Sequence, residues 1–281
     1  MIRSPAKCIL SGEHSVLKGG HAIVSPLNVF ETTLQYQPDL KLELFSKNDT
    51  SLRIILDFLR AIKLLPKAFS RDFYITSSIP VSAGLGSSAA LCVVIAKLLE
   101  KEGYIDSSKI FEVAKNCEDL FHGKSSGVDI AGVLSKKTVL YSLNKTVEFT
   151  PLWKPLFYVS YSGIPSQSKE SINRVQHYRK SFPKANTDQN MESATQQIYE
   201  ALLNNDSELG LKQLCEGIKH ANHCFEEWGI VNKILKNHQN SLIKAGALAT
   251  KPTGSGEGGY VLSLWKEPPV SSSIPLISLS L

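Results

Sequence analysis

Along the first 80 residues, short apolar stretches rich in β-branched side chains (Ala22 to Val24, Leu40 to Phe45, Phe73 to Thr76) alternate with Gly, Pro and Asn breakers. This pattern predicts a strand-dominated region with one helix, from Leu52 to Leu65. At Ser87 the texture changes. Ala89, Cys92, Val93, Ala96 and Leu99 recur at helical spacing with apolar neighbours on nearly every side, so Ser87 to Glu100 reads as a buried helix opening at a Ser-Ser pair suited to capping. A second helix, from about Ser107 to Phe121, carries the stripe Ile110, Val113, Ala114, Cys117, Leu120 and Phe121, with Glu118 on its rim. Thr138 to Phe149 and residues 156 to 164 read as strands on either side of a boundary at Pro151 to Pro155. From Lys169 to about Ile243 the pattern is mostly helical, with polar breaks at Ser181 to Asp188 and Asn204 to Ser207. Ala247 to Trp265 is a Gly-rich loop leading into a strand, and no internal repeat is present. The expected fold class is α+β in two halves, residues 1–150 and 151–281.

Composition narrows the function classes. A chain of 281 residues with 42% hydrophobic and 20% charged positions can bury a sizeable core, which excludes wholesale disorder. The net charge of +5 is spread along the sequence rather than gathered in a patch. That argues against nucleic acid as a partner and suits an anionic small molecule. The longest apolar run, Ala89 to Ala96, is broken by Lys97, well short of the ~18 to 20 residues that cross a bilayer, so no membrane association is expected. The N-terminus lacks the apolar core of a secretory signal and the five cysteines are scattered, which points to a cytoplasmic home.

Three segments carry candidate chemistry. In IPVSAGLGSSAA, Ile79 to Ala90, glycines and serines lie between a strand and a buried helix. Such a loop lets backbone amides and the positive end of the helix face an anion, with Ser87 and Ser88 offering hydroxyls to a phosphate or magnesium ion; a serine-capped turn is the plainer reading. It is not a P-loop, because Glu118 stands where GxxxxGK[ST] ending at Ser125 requires glycine. In CEDLFHGKSSGVDI, Cys117 to Ile130, Glu118 and Asp129 could divide metal binding and base duty in phosphoryl transfer, or could be surface acids at a helix end. In SPAKCILSGEHSVLKGGHAIVSPL, Ser4 to Leu27, Lys7 stands at a strand start and Glu13 and His14 lie in a Gly-bounded loop; they either line a pocket or are solvated. Two further patterns carry no site. GSGEGG, Gly254 to Gly259, precedes a strand where a dinucleotide fingerprint must open a helix. On a helix Cys215 points about 140° away from His220, so Cys215, His220, His223 and Cys224 cannot converge on zinc.

In this order the segments resemble the three signature motifs of the GHMP kinases: PxK at Pro5 to Lys7, PxxxGLGSSAA at Pro80 to Ala90, and KxTGxGxGG at Lys251 to Gly259. Within that family the likeness is to the mevalonate kinases, whose first motif PAKCILSGEHSVLKGGHAI resembles and whose ExxxHGxPSGxD is similar to EDLFHGKSSGVD. IPSQSKES, Ile164 to Ser171, resembles a substrate-side segment of the same enzymes. The resemblance implies a two-domain α+β cleft with a ribosomal S5 domain 2-like N-terminal half and a ferredoxin-like C-terminal half. It also implies ATP and Mg²⁺ as cofactors, mevalonate as the small-molecule partner and a homodimer as a possible assembly. By it, Lys7 and Asp129 form the catalytic pair, and Ser88 and Glu118 bind the metal. Gly84, Leu85, Gly86, Ser87, Ser88 and Ala89 cradle the nucleotide, while Glu13, His14 and Ser168 lie on the substrate side. Glu257 interrupts the glycines of the third motif. Two alternatives stay open: an acceptor such as phosphomevalonate or another small hydroxylated acid, and a catalytically silent nucleotide-binding regulator with the same fold.

Overall fold

The computed structural model describes residues 1–36, 50–65, 73–143, 145–269 and 274–281. Strand β1 (Ile2–Ser11) runs antiparallel to β2 (Ala22–Tyr36), which is long enough to take two further partners. Its Thr32–Tyr36 end pairs with β3 (Phe73–Ser77), and its Ala22–Val24 end with β4 (Thr138–Ser142), which pairs in turn with β5 (Lys145–Phe149). Helices α1 (Thr50–Ala61), α2 (Ser87–Lys101), α3 (Ile110–His122) and α4 (Val128–Leu134) accompany this sheet. The continuous apolar run makes α2 the central helix, against β1, β2, α3 and α4, with Ala89, Cys92, Val93, Ala96 and Leu99 all buried.

The second half begins with β6 (Leu156–Tyr161) and continues through α5 (Ser168–Ser181), α6 (Thr187–Leu202), α7 (Ser207–Glu227) and α8 (Lys233–Lys244). It closes with β7 (Ala249–Pro252), β8 (Tyr260–Trp265) and β9 (Ile277–Leu279), and the antiparallel sheet has the order β7-β8-β6-β9. The side chains of Asp206 and Asn232 accept the first free amides of α7 and α8, which fixes where those helices start. One core cluster runs from β1, α1 and α2 through to β6, α7 and β8, so the two sheets share buried apolar contacts. Among the described residues no helix is long and apolar enough to cross a membrane.

Several expectations are corrected. The serine pair does not cap α2: Gly86, in the left-handed region, is the cap residue, and Ser87 and Ser88 are the first helical positions. Lys7 lies inside β1, not at a strand start. Glu118 is 2% exposed while Leu120 is 38% exposed, so the final turn of α3 buries its acid and exposes its leucine. Asp129, read as following a loop, is in the first turn of α4, a two-turn helix too short for its periodicity to be seen. A break at Trp228–Asn232, between α7 and α8, was not anticipated, and the expected strand Leu40 to Phe45 lies outside the described residues.

Candidate active site

A cleft of about 810 Å³ opens between the halves, lined by Lys7, Glu13, His14, the turn 82–88, Glu118, Ser125–Ser126, Asp129, Ser166–Glu170 and Gly254–Ser255. The three sequence segments therefore converge. Backbone hydrogen bonds tie the glycine turn to the first segment and to the second half: the Lys7 amide donates to Leu85 O (3.0 Å), Ser166 to Ser82 O (2.6 Å) and Tyr260 to Ala83 O (3.0 Å). Glycine is required twice in this turn. At Gly84 (φ 79°) a Cβ would lie 2.5 Å from Thr253 O, and at Gly86 (φ 78°) 2.9 Å from the Lys7 Cγ. The free amides and the positive dipole end of α2 face the cleft, an arrangement suited to an anion.

At this end the Lys7 ammonium, 1% exposed, sits 2.8 Å from Asp129 Oδ1 and donates to Gly84 O at 2.9 Å. It thus joins the first motif, the glycine turn and α4. Burial, reinforced by the Asp129 carboxylate, pushes the Glu118 carboxyl up to about 8. Lys7 is the cation beside these two carboxylates and opposes the rise only in part, and Ser88 lines the same cleft. Among the described residues no three carboxylate, His or Cys side chains form a metal cage. Mg²⁺ does not need one, since it is commonly held by one or two protein oxygens plus the substrate's phosphates. Ser88 and Glu118 fit that role. The Ser88 hydroxyl also pairs with His122 Nε2 at 3.2 Å.

The other end is assembled from both halves. Glu13 Oε1 accepts from Lys251 Nζ at 2.6 Å and from the Gly254 amide at 3.3 Å. Burial drives the Glu13 carboxyl upwards, with Lys251 as the leading opposing influence. His14, at φ 62°, bonds Ser255 O through Nε2 at 3.0 Å and packs edge-on against Trp228. A carbonyl can only accept, so Nε2 carries the proton and Nδ1 is an acceptor. Burial lowers the His14 value to about 4, and the ring is neutral at physiological pH. Ser168, the first residue of α5, accepts from Ser255 Oγ at 3.0 Å, and Ser255 also pairs with Ser166.

Of the residues singled out from the sequence, all but Ala89 line the cleft; Ala89 is fully buried within α2 and faces the core. Glu257 is absent from the lining: its carboxylate pairs with Arg174 Nε at 2.7 Å and its amide donates to Ile230 O, so it engages neighbours outside the cleft. Thr253, Ser255 and the buried partner Lys251 were not singled out as site residues. In the sequence Lys251 stood only as the first residue of the third motif, and its burial on β7 is visible in the structure alone. Cys215, His220, His223 and Cys224 all lie on α7, with Cys224 buried and the two histidines exposed.

Residues 52–137 match the family described as GHMP kinases N terminal domain. Over 308 aligned residues the chain is 29% identical to the mevalonate kinase of Pyrococcus furiosus, covering 96% of this chain and 91% of that protein. Among solved structures it superposes on Methanococcus jannaschii mevalonate kinase with a TM-score of 0.73 at 21% identity, covering 99% and 96% of the two chains. L. major mevalonate kinase in complex with R-mevalonate also gives 0.73 at 21% identity, covering 94% and 86%.

Proposed function

We infer that this chain, which belongs to the GHMP kinases and is a small-molecule kinase, transfers the γ-phosphoryl group of ATP to the primary hydroxyl of mevalonate. The observation that carries the reading is the Lys7–Asp129 ion pair, 2.8 Å long, at the mouth of the glycine turn. It occurs in a chain similar along nearly its whole length to mevalonate kinases. We retain the division into residues 1–150 and 151–281 as two lobes, supported by each sheet being confined to one of them.

The amides of Gly84 to Ser88 and the start of α2 hold the nucleotide's phosphates. Glu118 and Ser88 are placed to hold Mg²⁺, which when bound supplies positive charge to the β- and γ-phosphates. Asp129, in the first turn of α4, accepts the proton of the acceptor hydroxyl as that oxygen bonds to phosphorus. Lys7 offsets the charge that builds on the transferring group. Glu13, His14 and Ser168 line the same cleft and orient the acceptor there. Glu257, one of the features that keep the silent-regulator alternative open, pairs with Arg174 outside the cleft lining.

The test is ADP release by the purified protein with ATP and Mg²⁺, comparing mevalonate with phosphomevalonate, homoserine and galactose. Mevalonate should give the highest kcat/KM. Greater efficiency with another acceptor replaces the substrate, and ATP binding with no acceptor-dependent turnover restores the silent reading.

A further inference from the structure

Lys251 is fully buried, yet it stands on β7 with its ammonium toward the other half of the molecule. Its Nζ donates to Glu13 Oε1 and to Pro252 O, both at 2.6 Å, and lies 5.0 Å from the centroid of the Phe225 ring. Phe225 in turn meets the edge of the His14 ring. Glu13 Oε2, buried beside the cleft, has no hydrogen-bond partner. A lysine used only to fill space would bring a desolvation cost that an apolar side chain avoids. A carboxylate with one oxygen fixed and the other unpaired is, by contrast, a ready acceptor for an O–H group.

We propose that Lys251 is a positioning residue for the phosphoryl acceptor: it fixes Glu13 as an anionic hydrogen-bond acceptor for a hydroxyl of the bound substrate. The same contact ties the loop at Gly12–His14 to the strand end at Lys251–Ser255, so the acceptor end holds its shape across the two halves. An acceptor with a hydroxyl directed at Glu13 is favoured there, and one that directs a carboxylate at Glu13 meets like charge. The inference rests on the kinase reading above.

The charged and titratable groups around Glu13 are Lys251 on β7, Lys7 and Cys8 on β1, and the adjacent neutral His14. Lys251→Met removes the leading cationic influence on Glu13 and the hydrogen bond that fixes Oε1, so Oε2 is no longer held toward the acceptor. The expected result is a KM for mevalonate raised roughly tenfold or more, with kcat less affected and the KM for ATP within about twofold of wild type. An unchanged mevalonate KM overturns the proposal. So does a loss that affects both substrates equally, because a purely structural lysine behaves that way. Should Lys251→Met fail to fold, Glu13→Gln with the lysine intact reads the same contact. It should raise the mevalonate KM at every pH, and a wild-type value overturns the proposal. A wild-type protein that turns over no mevalonate would instead sink the kinase reading.

Discussion

The phosphate end of the cleft comes mainly from short contiguous stretches, the turn at Gly84–Ser88 and the segment from Glu118 to Asp129, with Lys7 of β1 as the distant residue that ties them together. The acceptor end takes Glu13 and His14 from one half and Ser168, Lys251 and Ser255 from the other. The first end is local geometry: a left-handed glycine before a helix, two short helices and a loop between them. The second depends on a buried ion pair spanning residues 13 and 251 and on a hydroxyl chain linking Ser166, Ser255 and Ser168. Chemistry that many acceptors share can sit on the local part, while recognition of one acceptor is left to the part that exists only when both halves are folded together. Damage at the phosphate end should therefore appear in kcat and metal dependence, and damage at the acceptor end in one substrate's KM.

The largest effect should follow Asp129→Asn. The amide keeps the volume and the start of α4 but cannot take a proton, and losing a positioned general base typically lowers kcat by ~10²- to 10⁴-fold. ATP binding, measured by calorimetry, should survive because the glycine turn is untouched. A variant that keeps most of the wild-type rate would remove Asp129 from the reaction.

Next in size is Glu118→Gln, which should raise the Mg²⁺ concentration for half-maximal rate by roughly tenfold or more, since an amide is a weaker ligand than a carboxylate for a hard cation. The same substitution has a signature in the protein without nucleotide. The folded-state value of about 8 lies above the ordinary 4.5, so the protonated acid favours the folded state fully below about 4.5, and that contribution is lost as the pH rises to about 8. Thermal unfolding of the wild type should show this decline, and Glu118→Gln should flatten it. An unaltered Mg²⁺ titration would return Glu118 to the role of a buried helix-end acid.

How far each end could be read from the sequence follows from the same contrast. The glycine turn and the buried helix after it were legible, because spacing and residue type express local backbone demands; the pairing of Lys7 with Asp129 was implied only by the family resemblance. The depth of Glu118 was not: by periodicity it sits on the rim of α3, and only the packing of α3 on α2 and α4 turns it inward. Nor was Lys251 legible as the partner of Glu13, because nothing local to either residue signals a contact across more than two hundred positions. The helix carrying Asp129 escaped notice for a third reason, being only seven residues long.

At the acceptor end His14→Ala and Ser168→Ala should each cost about 1 to 3 kcal/mol of mevalonate binding, roughly a 5- to 150-fold rise in its KM, with little change for ATP. The His14 ring titrates near 4, so the wild-type KM for mevalonate should show no histidine-like step between pH 6 and 8. If ATP and mevalonate affinities fall together in these variants, the two ends are not independent and the comparison breaks.

The smallest effect is expected at Glu257, which interrupts the glycines of the third motif at a variable position. Glu257 adopts φ 61°, a left-handed conformation that costs a residue with a side chain about 1 to 2 kcal/mol. Its pair with Arg174, which is 61% exposed, returns at most about 1 kcal/mol in solvent. Glu257→Gly removes both contributions and keeps the amide that donates to Ile230 O. The freed glycine also gains entropy in the unfolded chain, which offsets part of the relieved strain. The net change in stability should lie within about 1 kcal/mol, a shift in Tm of at most about 4 °C. Because Glu257 does not line the cleft, kcat and both KM values should match the wild type. A change in the KM for mevalonate would mean that the Arg174 pair reaches Ser255 through the loop, and the acceptor end would then extend to the outer face of α5.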